Sequence, residues 1–139
     1  MAMAAAIPSG VLADLPELTE IRIGTVPERM MYDVKELRVK AGKKIRLTFA
    51  NPDYMPHNLL LVQPDKADEV GLQAMALGAK GFDLGFVPVS AAIIWASQLL
   101  DHGKEQVIDF TAPTIAGDYP YLCSFPGHHL MMRGLLKVR

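Results

Sequence analysis

The feature that most constrains this chain is a short loop near its C-terminus that carries three potential metal donors. The only cysteine, Cys123, is followed five positions later by His128 and four positions after that by Met132. A Pro-Gly pair separates the cysteine from the histidine, and because proline fixes φ while glycine admits unusual φ, this pair favours a tight and stiff bend. Strand-like segments flank the loop on both sides. The pattern predicts two neighbouring strands whose connection brings a thiol, an imidazole and a thioether to one point.

These donors indicate copper, because soft sulfur together with imidazole suits that metal, and one thiolate, two imidazoles and a weak thioether form the blue-copper set. The second imidazole has a candidate in His57, which directly precedes the apolar run 58–62. The neighbouring Met131 and His129 leave alternative donors open. A lone cysteine excludes an intrachain disulfide, a two-cysteine binuclear copper centre and a zinc site of the paired CxxC type. The predicted metal ligands are His57, Cys123, His128 and Met132.

Most of the remaining chain reads as short strands separated by turns, which predicts an all-β sandwich of six to eight strands. Alternating apolar residues in 21–25 and 45–49 mark two of the strands. The continuous apolar run 58–62 predicts a strand that is buried on both faces. A helical insertion is expected around 65–80, with Asp65 as its N-cap. Residues 101–104 resemble a hairpin turn that joins two further strands.

Composition places the chain among ordinary globular domains and excludes several functions. It has 139 residues, half of them hydrophobic, and a net charge of −1, so no basic surface suggests nucleic acid. No segment reaches the roughly 18 apolar residues that a membrane span needs. Residues 1–18 are expected to be a tether or a segment derived from cloning, and 19–139 to be the folded domain. The apolar run 1–7 is expected to be too short for a secretory signal. A monomer is expected.

Four motifs resemble those of the cupredoxins, closest to the azurin and auracyanin types. The run from Cys123 to His128, Cys-Ser-Phe-Pro-Gly-His, is similar to the azurin ligand loop, and Met-Arg-Gly from Met132 is similar to its closing residues. The Gly-x-Tyr lead-in ends at Tyr119, which the resemblance places in a tyrosine corner. His57 followed by Asn resembles the first ligand and its partner asparagine. The resemblance covers residues 20–139 and implies a Greek-key, cupredoxin-like sandwich with one type 1 copper ion.

The resemblance also implies a role for each residue of the site. His57, Cys123 and His128 would be the strong ligands, and the spacing together with the following Arg-Gly favours Met132 over Met131 as the long axial ligand. Asn58 would link the two ligand loops by hydrogen bonds. Pro56 stands where azurins have a glycine whose carbonyl approaches copper, so four ligands are expected rather than five. Among the other residues of interest, Phe125 and Pro126 belong to the ligand loop, His129 and His102 are expected at the surface, and Trp95 in the core.

The implied function is transfer of single electrons between redox proteins, with no catalysis by this domain alone. The outer edge of His128 would be the electron port, within an apolar patch formed by Met55, Pro56, Pro126, Leu130 and Met131. Such a patch suits brief docking with partners such as c-type cytochromes. Copper chemistry and the resemblance imply a periplasmic or other extracytoplasmic location. Rival readings are copper storage or delivery by the same ligands, a cupredoxin domain of a larger redox enzyme, a metal-free interaction domain and a thiol enzyme using Cys123.

Overall fold

The computed structural model describes residues 18–139, which form eight strands in two packed sheets. The predicted tether lies outside the described residues except for Leu18, which begins the first strand. The strands are β1 (Leu18–Gly24), β2 (Glu36–Val39), β3 (Lys44–Asn51), β4 (Leu60–Val62), β5 (Ile93–Ala96), β6 (Lys104–Thr111), β7 (Gly117–Leu122) and β8 (Arg133–Val138). The helix α1 (Ala67–Met75) and the 3₁₀ turns Gly78–Phe82 and His128–Leu130 complete the fold.

One sheet has the strand order β1-β3-β6 and the other has the order β2-β8-β7-β4-β5. The pairs β1–β3 and β2–β8 are parallel, and the remaining pairs are antiparallel. The facing sides of the two sheets bury the main core, which includes Ile45, Phe49, Leu59 and Tyr121. The predicted Greek-key sandwich with one short helical insertion is therefore confirmed.

The helix α1 covers the outer face of the five-stranded sheet rather than the space between the sheets. The residues that face the sheet follow the predicted helical spacing, and Ala67, Val70 and Ala74 are all buried. Val70 packs in a second apolar cluster with Leu60 of β4 and Leu122 of β7. Because apolar groups cover both faces of β4, its residues are completely buried, as the continuous apolar run predicts.

The prediction of Asp65 as the N-cap of this helix is wrong. Lys66 occupies the cap position, and no side chain provides a capping hydrogen bond there. Asp65 has a φ of 63°, in the left-handed region that aspartate tolerates better than most residues. Its side chain therefore belongs to the turn that precedes the helix.

The predicted hairpin around residues 101–104 is also wrong, although the turn itself is present. The N–H of Lys104 donates to the carbonyl of Asp101 at 3.2 Å. The strands on either side do not pair, because β5 pairs with β4 and β6 pairs with β3 in the other sheet. The segment between them crosses from one sheet to the other, a connection that local turn residues cannot distinguish from a hairpin.

Two aromatic predictions describe the packing correctly. The hydroxyl of Tyr119 donates to the carbonyl of Ile115 at 2.7 Å, which forms the expected tyrosine corner. Trp95 packs against the core and stacks at a tilt on Phe110, with ring centroids 5.1 Å apart. The indole N–H is buried and has no hydrogen-bond partner among the described residues.

Candidate metal centre

Two chain segments converge at one end of the sandwich to form the centre. His57 lies just before β4 and is held by paired backbone hydrogen bonds, in which its N–H donates to Leu100 and its carbonyl accepts from Leu100. Cys123 follows the last residue of β7, and its N–H donates to the carbonyl of Met132 at 3.0 Å. The short Leu60–Leu122 pairing between β4 and β7 fixes the distance between these two segments.

The donor atoms of three predicted ligands lie close together in a buried cluster. The sulfur of Cys123 is 3.7 Å from Nδ1 of His57 and 3.7 Å from Nδ1 of His128. All three donor atoms lie within 4.8 Å of one another. The three residues are each at most 3% exposed, so bulk water has almost no access to the donor atoms.

The loop between Cys123 and His128 turns as its Pro-Gly pair predicts. Gly127 has a φ of 84°, a left-handed conformation that favours glycine, and it precedes the 3₁₀ turn His128–Leu130. The N–H of His128 donates to the carbonyl of Phe125 at 2.9 Å. The Phe125 ring packs against the His128 ring with centroids 4.9 Å apart, whereas Pro126 is exposed. Backbone bonding and ring packing together fix the direction of the imidazole.

The adjacent methionines have opposite environments. Met132 is completely buried in the core cluster that also contains Cys123, and its N–H donates to the carbonyl of His128 at 2.8 Å. Met131 is 72% exposed. Met132 is therefore the methionine whose thioether lies on the buried side of the loop.

The prediction that His129 lies at the surface is wrong, since it is 2% exposed. Its ring packs against Gly71 of α1, where a Cβ atom would lie only 2.1 Å from the imidazole. The carbonyl of His129 accepts a hydrogen bond from Arg133, which also pairs with Asp68 of the helix. The second histidine thus attaches the ligand loop to the helix. His102, by contrast, is exposed, as predicted, and stacks on Tyr54.

Asn58 connects the two ligand segments through its side chain. Its carbonyl oxygen accepts the N–H of Ser124 at 2.8 Å, and its amide donates to the Ser124 hydroxyl and to the carbonyl of Gly85, both at 2.9 Å. The hydroxyl of Tyr32 donates to the backbone carbonyl of Asn58 at 2.6 Å. Residues adjacent to His57 and to Cys123 are therefore held at a fixed separation.

Asp53 is a residue of the centre that sequence reasoning missed. Its carboxylate accepts a hydrogen bond from Nε2 of His57 at 2.7 Å, and both side chains are buried. The residue falls in an Asn-Pro-Asp run that reads as a simple turn. The only available signal was an acidic residue four positions before a candidate ligand, and that spacing is common by chance.

The surroundings of Cys123 and His128 favour the uncharged form of each side chain in the metal-free protein. Burial raises the pKa of the Cys123 thiol to about 11. Burial and the nearby His57 lower the pKa of His128 to about 4. Burial alone would raise the pKa of Asp53, but hydrogen bonds from the backbone of Glu28, from His57 and from the backbone of Tyr54 outweigh it and lower the pKa. Metal binding must therefore displace the thiol proton, whereas the imidazole of His128 can offer a lone pair.

The chemistry of this donor set fits a type 1 copper ion. A thiol and two imidazoles converge from two segments, and the buried Met132 belongs to the same core cluster as Cys123. Within residues 18–139, His57, Cys123 and His128 form the only group of three or more His, Cys, Asp or Glu side chains that lie close enough together to hold a metal ion. Soft sulfur with imidazole selects copper over hard cations such as magnesium and calcium.

A sequence profile described as copper binding proteins, plastocyanin/azurin family, matches residues 19–139. The chain belongs to this family. Auracyanin-A of Chloroflexus aurantiacus is 36% identical over 120 residues, which cover 85% of this chain and 73% of that protein. Azurin-1 of Alcaligenes xylosoxydans is 31% identical, with 78% and 89% covered. Auracyanin-B of Chloroflexus aurantiacus is 30% identical, but the match spans only 56% of its length.

Solved structures show the same relationship for this cupredoxin. A reduced auracyanin from Roseiflexus castenholzii superposes with a TM-score of 0.78 at 34% identity, covering 87% of this chain and 97% of the other. Auracyanin A from Chloroflexus aurantiacus, described as a "blue" copper protein, has a TM-score of 0.79 at 31% identity, covering 88% and 100%. The similarity thus extends over nearly the whole described fold.

Proposed function

We propose that this cupredoxin is an electron carrier that holds one type 1 copper ion with His57, Cys123, His128 and Met132. The observation that carries the proposal is the buried cluster of two imidazoles and a thiol, already assembled with donor atoms within 4.8 Å. When bound, copper would supply one-electron chemistry by alternating between Cu(II) and Cu(I). The family membership and the similarity to the auracyanins and azurins support the same function.

The protein contributes a rigid and dry surrounding for that electron exchange. The strand pairing of β4 with β7 and the hydrogen bonds of Asn58 hold the two ligand segments together from both sides. Because these contacts do not depend on a metal, the donors have little freedom to rearrange between oxidation states. Pro56 stands where azurins have the glycine whose carbonyl approaches copper, so we propose four protein ligands.

We further propose that electrons enter and leave at the edge of His128. This histidine is 3% exposed, so a partner must approach it closely. Two neighbouring residues of the ligand loop, Leu130 and Met131, are 68% and 72% exposed, and Met55 near His57 is 47% exposed. Together with Pro56 and Pro126 they form an apolar docking patch around the port. Such a surface suits a weak, short-lived complex with a redox protein such as a c-type cytochrome.

The first experiment is to add Cu(II) to the purified protein and record visible absorption and EPR spectra. We expect an intense blue or green colour with a narrow copper hyperfine splitting, and we expect Cys123→Ser to abolish both. Circular dichroism of the variant establishes that its fold is retained. A colourless wild-type protein with ordinary type 2 signals would refute the electron-carrier proposal and favour storage or interaction roles.

The docking patch is tested by Met131→Lys and measurement of electron exchange with a reduced c-type cytochrome. A matched control is Ile115→Lys, because Ile115 is 75% exposed and precedes β7, whereas the ligand loop follows that strand. We expect the first variant to slow second-order exchange about tenfold, because a lysine must be desolvated in the apolar contact. Equal rates in both variants would exclude this port.

We also propose an extracytoplasmic location and no catalysis by this domain alone. Free copper is scarce in the cytosol, and one relative, 28% identical, is an outer membrane protein H.8 of Neisseria gonorrhoeae. Within residues 18–139 no helix combines the length and the apolar character needed to cross a membrane. Fractionation of the source cells with detection by a specific antibody would test the location.

A further inference from the structure

The carboxylate of Asp53 lies against the side of the His57 ring that faces away from the donor cluster. Its Oδ2 atom is 2.7 Å from Nε2 of His57, while Nδ1 of the same ring is 3.7 Å from the sulfur of Cys123. The side chains of His57 and Asp53 are 1% and 7% exposed. The ring is thus held between a carboxylate on one side and the thiol on the other.

The position of Asp53 does not depend on His57. Its other oxygen accepts the N–H of Glu28 at 2.9 Å, and the backbone N–H of Tyr54 also donates to the carboxylate. The N–H of Asp53 itself donates to the side chain of Asn51, which is 1% exposed and also bonds the carbonyls of Met55 and Leu100. The two backbone groups directed at the carboxylate, those of Glu28 and Tyr54, are N–H donors, so the site is built for an anion.

This arrangement selects one tautomer of His57. A carboxylate at Nε2 accepts a hydrogen bond from the N–H of that nitrogen, which leaves the lone pair of the neutral ring on Nδ1. Nδ1 is the nitrogen that faces Cys123 and the other donors. Metal-ligating histidines generally need such an outer partner, which fixes the ring and raises its basicity.

We propose that Asp53 is a positioning residue of the metal centre, which presents His57 through Nδ1 and whose negative charge favours Cu(II) over Cu(I). This inference rests on the proposed function. A fixed negative charge beside a ligand ring stabilises the more highly charged metal ion, and low exposure weakens the screening of that interaction. A neutral acceptor at this position would orient the ring equally well but would lack the charge. Asp53 therefore combines orientation with control of the reduction potential.

The charge is tested by measuring the reduction potential of copper-loaded Asp53→Asn. Asparagine has nearly the same shape and removes the charge, and it keeps one of the two acceptor oxygens that now face Glu28 and His57. The matched control is Asp33→Asn, because Asp33 also accepts a hydrogen bond from a backbone N–H, that of Gly24 at 2.9 Å. Among the described residues, Asp33 has no hydrogen bond to any of the proposed copper ligands. We expect the equilibrium constant for reduction to increase about tenfold in Asp53→Asn, about 59 mV for one electron, and to change little in the control.

The orientation is tested in the metal-free wild-type protein by ¹⁵N NMR of the histidine rings. We expect His57 to carry its proton on Nε2, and we expect Asp53→Ala to mix the two tautomers and to weaken Cu(II) binding about 10- to 100-fold. Since the first measurement requires no variant, it remains decisive if Asp53→Ala folds poorly. A proton on Nδ1 of His57 in the wild-type protein would overturn the proposal.

The outcomes separate this inference from the function on which it rests. If wild-type protein shows no type 1 spectrum with copper, the proposed function fails, whatever the tautomer of His57. If the wild-type spectrum is of type 1 but both asparagine variants keep the wild-type potential, the charge effect of Asp53 is refuted while the electron carrier stands. A higher potential in Asp53→Asn alone supports the proposal.

Discussion

Neighbouring residues of the ligand loop face opposite directions, so the environment of a side chain differs sharply from one position to the next. Met132 is completely buried, and Met131 is 72% exposed. The change occurs where the 3₁₀ turn His128–Leu130 ends and β8 begins. The thioether that can reach the donor cluster is thereby selected by backbone conformation.

This selection predicts different effects for two matching substitutions. Met132→Leu should shift the equilibrium between Cu(II) and Cu(I) towards Cu(I) by about tenfold or more, about 59 mV per tenfold change, because a weak axial donor is lost. Met131→Leu should leave the reduction potential and the visible spectrum unchanged. Potentiometric titration of both variants provides the measurement. A larger shift in Met131→Leu would assign the axial role to the other methionine.

At the residue scale, the sequence predicts the metal ligands well but does not predict which residues hold those ligands in place. The identities of His57, Cys123 and His128 follow from residue chemistry, since few side chains offer soft donors. The burial of Asp53 and His129 was not predicted, because a carboxylate near a turn and a histidine beside a ligand are also common in exposed loops. Their burial depends on segments distant in sequence, namely the loop at Glu28 for Asp53 and the helix at Gly71 for His129.

At the level of elements, α1 supports the ligand loop through a close contact between Gly71 and His129. The helix lies on the five-stranded sheet, and glycine at this position lets the buried imidazole approach its backbone. Glycine inside a helix costs roughly 1 kcal/mol relative to alanine. Helix propensity alone would make Gly71 a weak point of α1, whereas the structure shows that this glycine makes room for the ring of His129.

Gly71→Ala is therefore expected to destabilise the protein despite the better helix propensity of alanine. The added methyl group would lie 2.1 Å from the ring of His129, and overpacking of this kind costs about 1–3 kcal/mol. Urea unfolding measures the change in the free energy of unfolding. Gln73→Ala, an exposed change in the same helix, serves as the control and should have little effect. A more stable Gly71→Ala protein would show that the loop can move away freely.

Local patterns identified most strands because their apolar residues alternate, but they could not identify strand partners. The 101–104 turn illustrates the difference, since its residues favour a bend and the bend is present. Whether the next strand returns to the same sheet depends on which distant strand has a free edge. β3 provides that edge for β6, and this pairing lies outside the range of any local signal.

For the whole molecule, the metal centre introduces a pH-dependent weakness when no metal is bound. The pKa of His128 is lowered to about 4 by burial and by His57, and burial also lowers the pKa of His129. An unfolded histidine has a pKa of about 6.5. Between these values the unfolded chain binds protons that the folded protein does not bind, so the free energy of unfolding decreases as the pH falls.

Metal-free protein should therefore lose stability between about pH 6.5 and pH 4, as measured by the urea midpoint at a series of pH values. Above about pH 6.5 this contribution should be constant. His128→Gln should make the decrease shallower, because one of the two histidines no longer takes part. An unchanged midpoint of the wild-type protein across this range would contradict the prediction.

The position of Trp95 has a practical consequence for all these measurements. The chain contains one tryptophan, and its indole N–H is buried without a hydrogen-bond partner among the described residues. Trp95 is partly buried and packs against Phe110 and the apolar core, surroundings that shift indole emission towards short wavelength. Unfolding brings water to the ring and shifts the emission to the red. The native chain thus contains a single indole fluorophore, and the wavelength of its emission reports the state of the core without any added label.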